Sequence, residues 1–374
     1  NKSRARRRST ESQMTPRVQS QMREIESIAR DLPQTRIMEF CGGHTHALST
    51  SGLLSLLPQN IQMVHGPGCP VCVLPAHHIQ AVIDLLEKES ALTVAVFGDL
   101  LRIPTLRGDS LMAASGRGCD IKTVYSPLTV AEMAKANPQR EFLFVAIGFE
   151  TTAPSTALLL QKAKALQLKN LSVLCLHVLT PPAVAAVMEG LEAKDRPRAI
   201  VGPGHVSLVT GIEMYGDFAR RYQVPIVISG FEGTDLLESI LLCCRAIAEG
   251  GTAVINQYVR ALKPAGNRVA QKLLSDVFAI RPSFVWRGLG ELAHSGYMLR
   301  EEWSDWNAES RFEFVYRDVP EHPACRCGDI LRGKAVPNDC KLFMKACQPS
   351  RPLGACMVSS EGACHAYLQS GGGR

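Results

Sequence analysis

Residues 141–168 read EFLFVAIGFETTAPSTALLLQKAKALQL. From Phe142 to Ile147 the stretch is apolar without alternation, as a strand is when both of its faces are covered. It then runs into a small, polar turn around Glu150, Thr151 and Thr152, and Ser155–Leu168 returns to helical spacing. A buried strand feeding directly into a helix is the repeating unit of a parallel sheet.

The same alternation extends in both directions. Upstream, TRIMEF (35–40), IQMVHG (61–66), LTVAVFG (92–98) and IKTVYS (121–126) read as buried strands. Between them, HHIQAVIDLLEKE (77–89) places Ile79, Val82, Ile83 and Leu86 on one helical face. Downstream, LSVLCLHVL (171–179), PRAIVGPG (197–204) and VPIVISGFE (224–232) are further strands, with a helix near Pro182–Leu191. The two series echo each other. CGGHTHA and FETTAPS both open a helix after a strand, and HGPGC and VGPGH both end a later strand. The expected fold is therefore two similar doubly wound α/β domains with parallel sheets, followed by a cysteine-rich C-terminal iron–sulfur domain. The expected boundaries are a disordered basic tail at 1–20, domain I at 21–127, domain II at 128–262 and the third domain at 263–374.

Composition narrows the function. Of the formal charge of +6, five units come from Lys2, Arg4, Arg6, Arg7 and Arg8, so the rest of the chain is nearly neutral. That balance gives no support to a nucleic-acid-binding body. No window approaches the roughly 18 consecutive apolar residues of a membrane helix, and the tail has no apolar run behind its arginines. A soluble, cytoplasmic protein is expected. GxxxxGK[ST] and a strand-linked GxGxxG are both absent, so nucleotide binding has no motif.

Thirteen cysteines are many for a chain expected in the cytoplasm, and six of them crowd into 325–364. There metal binding or redox work is a better reading than a disulfide frame. The spacing is Cys325-x-Cys327-x12-Cys340-x6-Cys347-x8-Cys356-x7-Cys364. Wide, irregular separations suit a [4Fe–4S] cluster on four thiolates, leaving two over. Structural zinc prefers paired ligands two to four residues apart, and disulfides alone are the remaining alternative. In HGPGCPVCVLP (65–75), Cys69 and Cys72 sit on a proline-stiffened loop at a strand end, and Cys41 ends the neighbouring strand. Three sulfurs at one crevice would select iron, copper(I) or zinc; a lone Cys-x-x-Cys would serve as a redox pair. Separate buried thiols remain the plain alternative. Cys175, Cys243 and Cys244 read as core, as does Cys119.

With MEFCGGHTHAL, HGPGCPVCVLP, GFETTAP, GPGHVS, CRCGDILRG and GACMVSSEGAC quoted, the chain resembles the HypD family of hydrogenase maturation factors from about residue 36 to about residue 367. The resemblance implies a scaffold, rather than a conventional turnover enzyme, on which the Fe(CN)2CO unit of [NiFe]-hydrogenases is assembled. It implies a HypC-type chaperone as partner and cyanide delivered by HypE, with HypF upstream. Cys41, Cys69 and Cys72 match the family's iron-assembly cysteines. Cys327, Cys340, Cys347 and Cys364 match its cluster ligands, which leaves Cys325 and Cys356 as an extra dithiol. This arrangement is similar to ferredoxin:thioredoxin reductase, where the first cysteine of such a pair is a ligand, so the choice between Cys325 and Cys327 stays open. The alternative function is an iron–sulfur thiol–disulfide oxidoreductase of that kind. His44, Glu150 and His205 are expected around the iron site.

Overall fold

The structure is a computed structural model that describes residues 15–369. Eleven strands are found among those residues: β1 Thr35–Glu39, β2 Ile61–His65, β3 Leu92–Val96, β4 Ile121–Thr123, β5 Glu141–Gly148, β6 Leu171–His177, β7 Ala199–Pro203, β8 Ile226–Ser229, β9 Val254–Asn256, β10 Phe278–Trp286 and β11 Gly290–Leu299. The first nine form two wholly parallel sheets, ordered β2-β1-β7-β8-β9 and β4-β3-β5-β6.

Both sheets are covered on both faces, and the strand residues sort accordingly. In β5, Leu143, Val145 and Ile147 point into one core while Phe142, Phe144 and Ala146 point into another. In β1, Ile37 packs with Leu48, Leu236 and Ile240, whereas Met38 packs with Val64, Val184 and Met188. This is the doubly wound α/β class expected from the unbroken apolar runs.

The division between the sheets differs from the expected one. The chain leaves the first sheet after β2, builds all four strands of the second, and returns to lay β7 beside β1, with Ile37 opposite Ala199. A boundary at 127/128 would therefore cut through the second sheet, between β4 and β5. Periodicity identifies strands but carries no information on which pair with which.

The expected tail 1–20 lies largely outside the described residues. Its described end belongs to the helix Pro16–Ala29, with the Thr15 hydroxyl accepting from Val18 N–H at 3.4 Å and proline in the first turn. Met22, Ile25 and Ala29 bury against the helix Gly233–Ala248.

The region after residue 262 is likewise not one separate unit. Val277, Phe278, Leu299, Trp303 and Trp306 share a core with Phe142, Phe144 and Val173 of the second sheet. Only beyond the extended segment around Phe314 does the cysteine-rich module begin. Its Ile330, Met357, Val358 and Tyr367 join the same core as Cys69, Cys72 and Leu143. No helix among the described residues is long and apolar enough to cross a membrane.

Candidate thiol and metal site

β1 and β2 are in register, and each ends in a polar residue: Glu39 stands opposite His65. Glu39 is fully buried, and its carboxylate is saturated. It accepts from Cys41 N–H at 2.8 Å, from His65 Nδ1–H at 2.7 Å and from the Thr45 hydroxyl. Donation from Nδ1 leaves His65 Nε2 as a buried, unpartnered acceptor, with the Tyr367 ring edge-on at 5.4 Å.

Cys41 caps the helix Gly42–Thr50. The GPGCPVC loop lies against it: Gly42 N–H donates to Gly68 O at 3.3 Å, and a Cβ on Gly68 would stand 2.5 Å from Cys41 N. Only glycine permits that approach. On the other side, Glu361 of the C-terminal EGAC segment crowds Gly42, at 2.6 Å from where a Cβ would lie. Three of the quoted motifs therefore meet at one helix N-terminus.

The Cys41 residue is half-buried, its thiol enclosed. Burial, then the negative charges of Glu39 and Glu361, push the thiol up to about 12, against the pull of the Gly43 and His44 N–H groups. Cys69 and Cys72 are buried, with their sulfurs 2.6 Å apart. Cys72 also lies 3.9 Å from Ala355 O, beside Cys356. Burial holds the Cys72 thiol well above its ordinary value, whereas hydrogen bonds from Cys327, Cys364 and Cys72 pull Cys356 well below.

Cys325, Cys327, Cys340, Cys347 and Cys364 line a small apolar cavity together with Leu342, Phe343 and Met357. Cys325 and Cys327 both abut Gly354, which has no side chain to displace them. The donor set is purely thiol, and among the described residues no three metal-binding side chains close on a single point. A sulfur-lined cavity of this kind fits a polynuclear iron–sulfur cluster better than one ion. Cys356, expected to pair with Cys325, has Cys327, Cys364 and Cys72 around it. The Cys41 backbone touches Gly68 of the loop that carries Cys69 and Cys72, while Cys72 reaches Ala355, beside Cys356.

Of the expected surrounding residues, His44 and His205 come together through Phe231. Its ring stacks on His205 at 3.7 Å and leans on His44 at 4.6 Å. His44 is fully buried, with Nε2 3.3 Å from Ser229 O, and burial holds it neutral with a pKa of about 4. Glu150 does something different. Its two oxygens accept from Thr180 N–H at 2.9 Å and Thr180 O–H at 2.8 Å, capping the helix Thr180–Glu189. Sequence reading passed over Glu39, His65 and Glu361. The available signal was two polar residues, Glu39 and His65, ending two otherwise apolar strands.

Fold and site together define a cysteine-rich α/β protein in which a strand-end thiol pair and a thiol-lined cavity share one core. The family described as HypD, hydrogenase formation hypA family, matches residues 17–371. The chain is 48% identical over 351 residues to "Hydrogenase maturation factor HypD" of Cupriavidus necator, covering 93% of this chain and 92% of that protein. It is 46% identical to that of Azotobacter vinelandii, covering 90% of each chain, and 41% identical to that of Escherichia coli, covering 89% and 88%. The chain belongs to the HypD family of hydrogenase maturation factors.

Proposed function

We propose that this protein is the scaffold on which the Fe(CN)2CO unit is assembled for insertion into the hydrogenase large subunit. The unit is cargo carried by Cys41, Cys69 and Cys72. A HypC-type chaperone docks at that crevice, and cyanide arrives from HypE, with HypF upstream. The observation that carries the reading is the approach of Cys72, its sulfur 3.9 Å from Ala355 O, to the segment that holds Cys356. It joins the loop pair beside Cys41 to the cysteine-lined cavity, so metal carriage and thiol chemistry share one site.

The cavity would hold a [4Fe–4S] cluster through Cys325, Cys340, Cys347 and Cys364, leaving Cys327 and Cys356 as the dithiol. Bound there, the cluster supplies single electrons. The chain's own sulfurs perform the exchange. With Cys69 and Cys72 joined as a disulfide, the Cys356 thiolate attacks Cys72 and the electron pair of the broken bond leaves on Cys69. Cys327, as thiolate, then attacks Cys356 and releases Cys72. The net change is one disulfide reduced at the loop, one formed at Cys327–Cys356, and two protons transferred to Cys69 and Cys72. The buried Cys69 and Cys72 weigh against the rival reading, a reductase of partner proteins, because such a reductase must present a sulfur to its substrate.

The test is anaerobic purification with a HypC-type chaperone and an infrared spectrum of the complex. Cyanide and carbonyl stretches are expected in the parent and are lost or shifted in Cys41→Ala, with the brown chromophore retained. Undiminished diatomic bands and normal hydrogenase maturation in Cys41→Ala would reject the three-sulfur site.

A further inference from the structure

The turn between β10 and β11, at Arg287-Gly288-Leu289, reaches both thiol groups. Arg287 N–H donates to Val73 O at 2.7 Å, and its guanidinium Nε–H donates to Leu74 O at 3.0 Å. These are the last carbonyls of the four-residue helix that carries Cys72, which has no intrahelical partners for them. The guanidinium side chain is only 5% exposed, with Glu321 3.7 Å from Nε and Nη2 unpartnered. One residue on, Gly288 has φ +79° and would place a Cβ 2.8 Å from Gly328 Cα. Gly328 follows Cys327 in the helix Cys327–Leu331. The same turn thus grips the loop that bears Cys72 and presses on the helix that begins at Cys327. Trp286, just before it, packs in the core that contains Cys69, Cys72, Cys327 and Cys356.

We propose that Arg287 is a positioning residue for thiol exchange: bound to the Val73 and Leu74 carbonyls from a turn wedged on Gly328, it sets the approach of Cys72 to Cys356. This rests on the exchange reading given above. A buried guanidinium with its Nε–H committed to one backbone carbonyl, beside a backbone N–H committed to another, is costly to keep unless its place is fixed, and fixing it fixes the loop. Thiol exchange is sensitive to such placement, because the attacking sulfur must reach the disulfide on a defined side.

The experiment uses the full chain, purified anaerobically with its cluster. One equivalent of diamide is added, samples are quenched with N-ethylmaleimide over time, and disulfides are mapped by peptide mass spectrometry. In the parent, a Cys69–Cys72 disulfide should form first and pass to Cys327–Cys356. In Arg287→Met the first step should be unchanged and the transfer slowed about tenfold or more. Arg287→Lys, which keeps a cation but not the Nε–H donor, should fall between. A fold defect alone would lower the melting temperature without separating the two steps. Transfer at the parent rate in Arg287→Met overturns the role. If that variant does not fold, transfer at the parent rate in Arg287→Lys overturns it instead. A parent chain that forms the loop disulfide and never passes it on rejects the exchange reading, and the role of Arg287 with it.

Discussion

The Cys72 sulfur lies 3.9 Å from Ala355 O, which brings a cysteine of the first quarter of the chain beside Cys356, near its C-terminal end. Cys327 and Cys364 border Cys356 in turn, so sulfurs run on from the loop to the cavity. The proposed assignment makes Cys325 the cluster ligand of the CRC motif. Cys325→Ala should bleach the anaerobic protein, because Cys325 lines the cavity, with Cys327 as its neighbour. Cys327→Ala should keep most of the visible absorption and lose the loop-to-cavity exchange. Optical spectra and iron content measure this, and the opposite pattern would return Cys327 to the cluster.

Glu361→Gln should speed alkylation of Cys41. The Cys41 thiol is held near 12 by burial together with Glu39 and Glu361, and removing one negative charge favours the thiolate. Iodoacetamide labelling of the reduced protein near pH 8, read by peptide mass spectrometry, should rise severalfold. Unchanged labelling would mean that Glu361 does not reach the sulfur electrostatically.

Gly68→Ala should displace the loop rather than merely stiffen it. The new methyl would meet the Cys41 backbone at 2.5 Å, and no flexible side chain is there to yield. A loss on the order of 1–3 kcal/mol is expected from overpacking, read as a lower melting temperature. The backbone contact between Cys41 and the CPVC loop should loosen with it, giving faster alkylation of Cys69 and Cys72.

His177 offers a test of pH dependence away from every thiol proposed to bind metal. It is fully buried, bonded through Nε2 to the Thr156 hydroxyl at 2.9 Å, and held down at about 4 by burial. Its folded value lies below the unfolded one near 6.5, so the unfolded chain binds the extra proton in between. Stability is therefore complete above about pH 6.5 and is lost as pH falls toward 4, by about 3 kcal/mol from this residue. His177→Gln should flatten the acid limb of a urea-melt series by up to about 1.4 kcal/mol per pH unit. An unchanged slope would show that His177 is not held neutral.

Strands, helices and the grouping of cysteines were legible because they are local: β5 announces itself in six consecutive apolar residues. Strand order was not. β1 lies between β2 and β7, and nothing in TRIMEF distinguishes a central strand from an edge. The relation of Cys327 to Cys356 depends on how a short helix and a 3-10 turn pack, which cysteine spacing cannot encode. Glu150 misled because a carboxylate at a strand end looks the same whether it faces a ligand or caps a helix through Thr180. Arg287 was invisible for a similar reason. Its partners are carbonyls, and every residue has one.

The pairing of β1 with β7 has a consequence for biosynthesis. While a ribosome extends the chain at about 5–20 residues per second, β1 waits roughly ten to thirty seconds for the strand that covers its second edge. Through that interval an apolar ribbon with unpaired N–H and C=O groups stays open to other nascent chains. The four strands of the second sheet can close in the meantime, since β3 through β6 need nothing made later to complete their ladders. Newly made protein should therefore lean on holdase chaperones, and slowing translation between β2 and β7 should raise aggregation of this protein more than slowing it after β9.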